Sequence, residues 1–238
     1  MPKRSGARPG ASSGRVPRNT LSRDRIVEEA LALVDRDGLD GLTMPRLADR
    51  LGVGTMSLYR HVESKEDLLD AVAAHVLTDV PVPPGAPGDW EGRVVGYLRT
   101  LRHQALRHPA LARILADRGL TVAPVLEQLE AVHGILRAAG FSDIDAVRAF
   151  YSLLIYVFGS LVWELPRVHL QSPSDYTAAW HEALDAVEPA RYPNLLALRE
   201  QLPTSASDDQ FEYGLERMVS GLRPQATPRR QNRRRVQR

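Results

Sequence analysis

Polar, aromatic and basic side chains are concentrated in one short stretch of the sequence. Hydroxyl, thioether, phenol, guanidinium and imidazole groups follow one another at Thr55, Met56, Ser57, Tyr59, Arg60 and His61. Their spacing predicts a short helix that presents these groups to solvent on its outer face. A helix of this size fits the major groove of B-DNA, so the pattern favours non-covalent recognition of DNA.

The neighbouring residues predict a helix-turn-helix that holds this face outward. The second helix of the chain is expected at 43–51 and the third at 55–62. Small Ala48 permits the two helices to approach, Gly52 permits a positive φ in the turn, and Leu58 fills the angle between the helices. The rest of the apolar wedge consists of Leu47, Leu51 and Val53.

Three hydroxyl residues are expected to begin helices. Ser22, Thr43 and Ser64 each stand directly before a helical apolar pattern, where a side-chain oxygen accepts a hydrogen bond from a free backbone amide. Asp67 occupies the acidic position of a capping box that begins at Ser64. Gly38 is expected to end the first helix. The sequence therefore predicts a compact N-terminal helical unit over 22–80.

A linker rich in proline and glycine at 81–88 is expected to end the fourth helix at Pro81. Helical spacing then resumes, with Gly140 and Pro166 marking two helix ends. The expected helices are 89–108, 109–117, 124–139, 142–165, 173–187, 193–202 and 207–222. Neither an internal repeat nor a convincing alternating strand pattern is present, so the predicted fold class is all-α.

Charge is distributed unevenly along the 238 residues. Residues 1–21 carry five basic and no acidic side chains, 223–238 carry seven basic and no acidic ones, and the body between them is net −10. Both ends are predicted to be disordered basic segments, an arm and a tail. A polyanion would be attracted by the N-terminal region and the tails and repelled by the acidic body. The absence of cysteine excludes disulfides and thiolate metal sites.

Two stretches of the sequence resemble the tetracycline-repressor (TetR) family of regulators. TMPRLADRLGVGTMSLYRHVESKEDLL, with LYRHV followed by SKEDLL, resembles the family's DNA-binding domain, and this likeness covers 22–80. RHPALARILADRG through LRAAGFSDIDAVRAFYSLLIYVFGSLVWE is similar to the ligand-binding domain of the tetracycline-repressor subgroup. The resemblance implies a cytoplasmic homodimer that binds a palindromic operator on double-stranded DNA. Residues 22–80 would form the DNA-binding domain, and 89–222 the ligand-binding and dimerisation domain.

The resemblance also implies roles for individual DNA-binding residues. Tyr59 and Lys65 would contact phosphates, and Thr55, Met56 and Ser57 would face base edges. The alternative role for Tyr59 is packing within the small helical unit. For His61, packing and a phosphate contact are equally expected. Candidates nearby are Thr43, Met44, Arg46 and Arg60. The tetracycline repressor reads a base with an arginine where this chain has Pro45, so a different operator sequence is expected.

A small-molecule effector is implied for the C-terminal domain, with a pocket walled by the helices that begin near residues 89, 109, 124 and 142. The candidate lining residues are Leu115, Leu129, His133, Tyr151, Ile155, Phe158 and Trp163. Tyr151, Ile155, Phe158 and Val162 fall on one helical face. The family's metal-binding histidine is missing from PALARILAD, and Glu164 is shifted by one residue from the acidic pocket position. An apolar or aromatic effector is therefore expected, without a metal or another cofactor.

Two features of the sequence suggest other functional classes. Glu130 and His133 have the Glu-x-x-His spacing of di-iron helical bundles, but such a bundle needs two copies of the motif and two further glutamates on facing helices, and the sequence has no second copy. A ligand-independent architectural DNA-binding protein would use its basic tails, but the acidic body argues against it. Neither a glycine-rich phosphate loop nor a GxSxG motif is present. The chain is expected not to be an enzyme.

Dimerisation is expected through 142–165 and 207–222, as the family resemblance implies. The first segment is apolar around much of its circumference, and the second carries apolar residues at helical spacing. The residues in question are Phe150, Leu153, Leu154, Val157, Leu161, Phe211, Leu215, Met218 and Leu222. The apolar run at 149–163 is shorter than the ~18 residues that a membrane span needs, so a buried helix is predicted there.

Overall fold

The computed structural model describes residues 21–84, 89–118, 123–170, 173–205 and 207–222. Within these ranges all regular secondary structure is helical, which confirms the all-α prediction. The helices are α1 (Arg23–Gly41), α2 (Met44–Leu51), α3 (Thr55–Leu58), α4 (Lys65–Thr78), α5 (Trp90–Arg107), α6 (Pro109–Arg118), α7 (Ala123–Ala138), α8 (Asp143–Leu170), α9 (Pro173–Asp185), α10 (Pro193–Ala197), a 3₁₀ turn (Leu202–Ser205) and α11 (Asp208–Gly221). The predicted basic arm, apart from Leu21, and the predicted tail lie outside the described residues.

The three predicted N-caps are confirmed. The hydroxyl of Ser22 accepts from the amide of Arg25 at 3.2 Å, and that of Ser64 accepts from the amide of Asp67 at 3.0 Å. Thr43 caps α2 in the same way, at 3.3 Å from the amide of Arg46. Each hydroxyl satisfies an amide that has no carbonyl partner within its helix.

Several helix ends differ from the sequence prediction. Predicted as 55–62, α3 ends at Leu58, because the chain turns there to bring Val62 into the core. At its C-terminus α4 stops at Thr78, before Pro81. Pro166 does not end α8, which continues to Leu170, since a missing amide removes one hydrogen bond of the helix without preventing the next turn. Expected over 193–202, α10 spans only Pro193–Ala197.

One continuous hydrophobic core joins the N-terminal helices to the rest of the chain. Helix α4 is central to it, because α4 packs against α1 on one side and against α5, α6 and α7 on the other. Leu68 lies at its N-terminal end and Leu77 at its C-terminal end, and both are buried. A movement of one end of α4 therefore has to be accommodated by the helices that contact the other.

Helix α8 forms the centre of the C-terminal core. Its buried face packs against α5, α7 and α11. By length and composition alone, the part of α8 at 143–165 could cross a membrane, and no other helix in the described residues could. Core helices of folded domains pass the same test, and the packing of α8 inside this chain is of that kind.

Candidate DNA-binding surface and ligand pocket

The turn between α2 and α3 has the geometry of a helix-turn-helix. Gly52 adopts φ 67° and ψ 34°, the left-handed conformation predicted for it. The amide of Val53 donates to the carbonyl of Ala48 at 3.0 Å, which closes the end of α2. Leu58 is fully buried between the helices, and Ala48 is almost as inaccessible. The apolar wedge therefore fixes the angle at which α3 leaves the unit.

The outer face of α3 and the turn after it is open to solvent. Met56 is 75% exposed and Tyr59 is 43% exposed, and Arg60 is exposed as well. Thr55, Ser57 and His61 are half-buried beside them. An exposed methionine at the start of a short helix contributes nothing to this chain's core, so its side chain is available to a partner.

The four other predicted DNA-contacting residues lie in different settings. Thr43 is exposed and Lys65 is half-buried at the first position of α4. Arg46 ion-pairs with Asp37 at 2.8 Å and donates to the carbonyl of Gly41 at 3.2 Å, so a phosphate would compete with these partners. The prediction for Met44 is wrong for its side chain, which is only 6% exposed because it packs into the core.

An ion pair positions α3 and α4 relative to α1. The guanidinium of Arg23 donates to both carboxylate oxygens of Asp67, at 2.7 and 3.1 Å, and to the carbonyl of His61 at 2.7 Å. The carboxylate also accepts from the amide of Glu63 at 2.9 Å. Hydrogen bonding by Arg23 holds the pKa of Asp67 below its usual range. This network fixes the turn that carries Tyr59 and His61.

Two adjoining spaces lie among the C-terminal helices. The inner one is a cavity enclosed by α4, α5, α6, α7 and α8, with room for about one water molecule, a volume of about 10 Å³. The outer one is an open groove along α8, with a volume of about 480 Å³. Leu115, Leu154 and Phe158 line both spaces and form the wall between them. The groove is otherwise lined by Tyr151, Ile155, Gly159 and Val162.

The inner cavity reaches the C-terminal end of α4 through a polar contact. Leu77 lines the cavity, and its carbonyl accepts from the side-chain amide of Gln128 on α7 at 2.7 Å. The carbonyl of Val80 accepts from the same nitrogen at 3.1 Å. The hydroxyl of buried Tyr97 donates to the amide oxygen of Gln128 at 3.0 Å. Gln128 therefore connects the cavity to the end of α4, and Tyr97 holds Gln128 from within the cavity.

Comparison with known proteins relates both parts of this architecture to one family. Residues 26–72 match the family described as bacterial regulatory proteins, tetR family, and 82–226 match the tetracyclin repressor-like C-terminal domain. The chain belongs to the tetracycline-repressor (TetR) family. TetR-family members are dimeric, DNA-binding transcriptional regulators, and this chain is one of them.

Individual relatives cover most of this TetR-family chain. An HTH-type transcriptional regulator of Saccharopolyspora erythraea is 35% identical over 204 residues, which are 85% of this chain and 84% of the relative. The class A tetracycline repressor of Escherichia coli is 34% identical over 205 residues, 85% of this chain and 90% of the repressor. The crystal structure of Streptomyces coelicolor ActR in complex with actinorhodin has a TM-score of 0.76 and 35% identity, covering 86% of this chain and 96% of ActR.

The predicted pocket residues of this TetR-family chain divide into two sets. Leu115, Leu129, Tyr151, Ile155 and Phe158 line the cavity or the groove. Val162 lines the groove beside them, as the shared helical face predicted.

His133 and Trp163 line neither space, so their prediction is corrected. The ring nitrogen Nδ1 of His133 is 2.7 Å from the carbonyl of Leu129, and its ring packs edge-on against Phe150. Trp163 is 58% exposed on a face of α8 rotated by about 100° from Val162. Glu164 is buried and paired with Arg102, and it lines neither space. The described residues contain no group of three His, Asp or Glu side chains that could hold a metal.

The residues named for the dimer interface are mostly internal. Phe150, Leu153, Leu154, Val157 and Leu161 are buried within the chain, as are Phe211 and Leu215. Apolar side chains exposed on the outside of α8 and α11 are Ile144, Val147, Tyr151, Ile155, Val162, Trp163 and Tyr213. The interface through 142–165 and 207–222 stays a prediction. The exposed apolar residues on these segments differ from those named for it, and Tyr151, Ile155 and Val162 among them also line the groove.

Sequence reasoning missed Gln128 and Tyr97, the two polar residues of the inner cavity. A signal for Gln128 was present, because Val125 and Val132 place it on the buried face of α7 by their spacing of three and four residues. A glutamine on an otherwise apolar face needs partners when buried. Which partners it has depends on the packing of α7 against α4, which the sequence pattern does not specify.

Proposed function

We propose that this chain represses transcription by binding a palindromic operator as a dimer and is released by an apolar or aromatic small molecule. The observation that carries the proposal is the position of α4, which has Lys65 beside the DNA-binding surface at one end and Leu77 in the wall of the cavity at the other. A ligand that favours one position of α4 then changes the position of the DNA-contacting residues.

On DNA, residues 22–80 form the reading unit and α3 enters the major groove. Thr55, Met56 and Ser57 face base edges, and Tyr59, Arg60 and Lys65 contact phosphates. Thr43 and His61 lie at the margin of this surface, and Arg46 contacts a phosphate once it leaves Asp37. Two copies related by a twofold axis read two half-sites about one helical turn or slightly more apart.

The effector occupies the groove along α8 and reaches the adjoining cavity only with a leading atom, because the cavity has room for about one water molecule. Nearly all lining side chains are apolar or aromatic, which favours an apolar or aromatic molecule over a charged one. The relative ActR has been crystallised in complex with actinorhodin, which supports a ligand-responsive function for this chain. Residues 109–117 contain no histidine where the tetracycline repressor holds its metal, so a magnesium chelate of tetracycline is not the proposed effector. The protein works in the cytoplasm, without enzymatic activity.

Two measurements test this function together. Selection from a random DNA pool is expected to yield one palindromic sequence, bound at least ~10³-fold more tightly than random DNA. Actinorhodin is expected to release the dimer from that sequence at micromolar concentration, whereas tetracycline with magnesium is not. Binding of all DNA sequences with equal affinity would overturn the proposal of a specific operator, and release by the tetracycline chelate would overturn the proposed ligand class.

A further inference from the structure

Gln128 caps the C-terminal end of α4 from a neighbouring helix. Its Nε2 group donates to the carbonyls of Leu77 and Val80, at 2.7 and 3.1 Å. The carbonyl of Leu77 also accepts from the amide of Val80 at 3.0 Å, so Gln128 is a second donor to it. The carbonyl of Val80, just beyond α4, accepts from Gln128. Since Leu77 and Val80 are buried, water does not readily replace Gln128. A side chain of α7 therefore ties the end of α4 to the cavity.

Tyr97 fixes the orientation of that amide. Its hydroxyl donates to Oε1 of Gln128 at 3.0 Å, and burial raises the pKa of Tyr97 to about 12. The hydroxyl thus keeps its proton throughout the physiological range and acts as donor. With Oε1 held by Tyr97, the two N–H groups of Gln128 point to the two carbonyls, and the reverse orientation would place Oε1 against both carbonyl oxygens.

Every donor in the inner cavity is already engaged. Among the lining residues that the structure describes, Tyr97 and Gln128 alone have hydrogen-bonding side chains, and the others are apolar. A ligand oxygen that enters from the groove, past Leu154 and Phe158, finds no free donor. It obtains a hydrogen bond only by taking the Nε2 group of Gln128 away from α4, or it remains unsatisfied at a cost of about 1–3 kcal/mol.

We propose that Gln128 selects the effector and transmits its binding, because a carbonyl oxygen on the leading edge of an aromatic ligand replaces the α4 carbonyls as acceptor of its Nε2 group. This inference rests on the proposed function and makes it more specific. The ligand class is an aromatic molecule with a carbonyl oxygen, and an aromatic hydrocarbon of the same shape occupies the site without releasing the end of α4.

A pair of probes with matched shape tests the selection. 2-(Hydroxymethyl)anthraquinone carries ring carbonyl oxygens, and 2-(hydroxymethyl)anthracene lacks them, and both are uncharged. The wild-type dimer is expected to bind the two probes with similar affinity, because the hydrogen bond that the quinone gains replaces one that the α4 end loses, and only the quinone should lower affinity for the selected operator. Gln128→Leu should bind the quinone about 10-fold more weakly than the hydrocarbon, because the quinone oxygen then has no donor, and neither probe should shift its operator affinity. Glu127→Leu, at an exposed position of α7, is the matched control and should respond to both probes as the wild type does.

Hydrogen exchange tests the cap without any ligand. Amides of residues 76–80 should exchange about 10-fold faster in Gln128→Leu than in wild type, and at the wild-type rate in Glu127→Leu. Unchanged exchange in Gln128→Leu, or release of this variant from the operator by the quinone, would overturn the role of Gln128 while leaving the aromatic effector intact. Failure of both probes to bind the wild-type dimer would instead overturn the ligand class, and with it the proposed function.

Discussion

Arg102 on α5 and Glu164 on α8 form a buried ion pair, with 2.5 Å between Nη2 and Oε2. The guanidinium also contacts Asp208 at 2.8 Å and lies 4.3 Å above the ring of Phe211. One cation thus links α5, α8 and α11. Burial raises the pKa of Glu164 despite this pairing, so the ionised carboxylate is less stable here than in water.

The two halves of this pair should differ in their effect on stability. Arg102→Met leaves a buried carboxylate without its cation and is expected to lower the free energy of unfolding by about 3–5 kcal/mol at pH 7.5. Glu164→Gln should cost less, since Asp208 still pairs with Arg102. Because the folded-state pKa of Glu164 is raised, the folded protein loses stability as pH rises and this carboxyl group ionises. The deficit of Arg102→Met should therefore shrink at pH 5, as urea denaturation at both pH values would show. An equal deficit at both would contradict it.

The Arg23–Asp67 network should make the DNA-binding helices sensitive to acid. The pKa of Asp67 is lowered, so its contribution is complete above its unfolded value of about 3.9 and is lost as pH falls through and below it. Asp67→Asn should lower the free energy of unfolding by about 1 kcal/mol at pH 7 and flatten the loss of stability between pH 5 and 3. Asp49→Asn, at an exposed position of α2, is the control in thermal melts across this range. A pH profile unchanged by Asp67→Asn would refute the assignment.

Contacts with phosphates and with bases should respond differently to substitution. Tyr59→Phe should weaken binding to all DNA sequences about 5- to 10-fold by loss of one hydrogen bond to a phosphate. Met56→Ala should instead alter the selected sequence, with little effect on folding because Met56 is 75% exposed. Fluorescence anisotropy at matched salt measures both. Tyr213→Phe on α11 should change neither, and an unaltered affinity in Tyr59→Phe would mean that Tyr59 serves packing.

Gly214 should be intolerant of any side chain. A Cβ atom at this position would lie 2.0 Å from the hydroxyl oxygen of Tyr156, which donates to the carbonyl of Phe211 at 3.0 Å. Gly214→Ala should therefore separate α8 from α11, lower the free energy of unfolding by about 1–3 kcal/mol and weaken the dimer in sedimentation equilibrium. At Gly221, in the same helix, a Cβ meets nothing within 4 Å, so Gly221→Ala should leave both unchanged. Similar behaviour of the two variants would exclude the packing explanation.

Local signals in the sequence predicted the DNA-binding helices well, because each depends on near neighbours. Ser22 caps α1 by contacting Arg25, and Gly52 turns the chain by its own conformation. The pocket was predicted less completely. His133 drew attention by its chemistry, yet it bonds to the preceding turn of its own helix, whereas Gln128 reaches another helix. The rotation of α7 against α4 decides between them, and that rotation results from the packing of the whole core.

The brevity of α3 limits how much sequence one copy of the protein can distinguish. Its 4 residues span about 6 Å, the length of roughly two stacked base pairs. Discrimination worth about 1–3 kcal/mol for each good base contact cannot single out one address among the ~10⁶–10⁹ alternatives in a genome. A symmetric dimer compensates for the short helix, because the second copy doubles the number of base pairs that are contacted. Dissociation of the dimer should therefore abolish specific operator binding as completely as loss of the base-contacting residues.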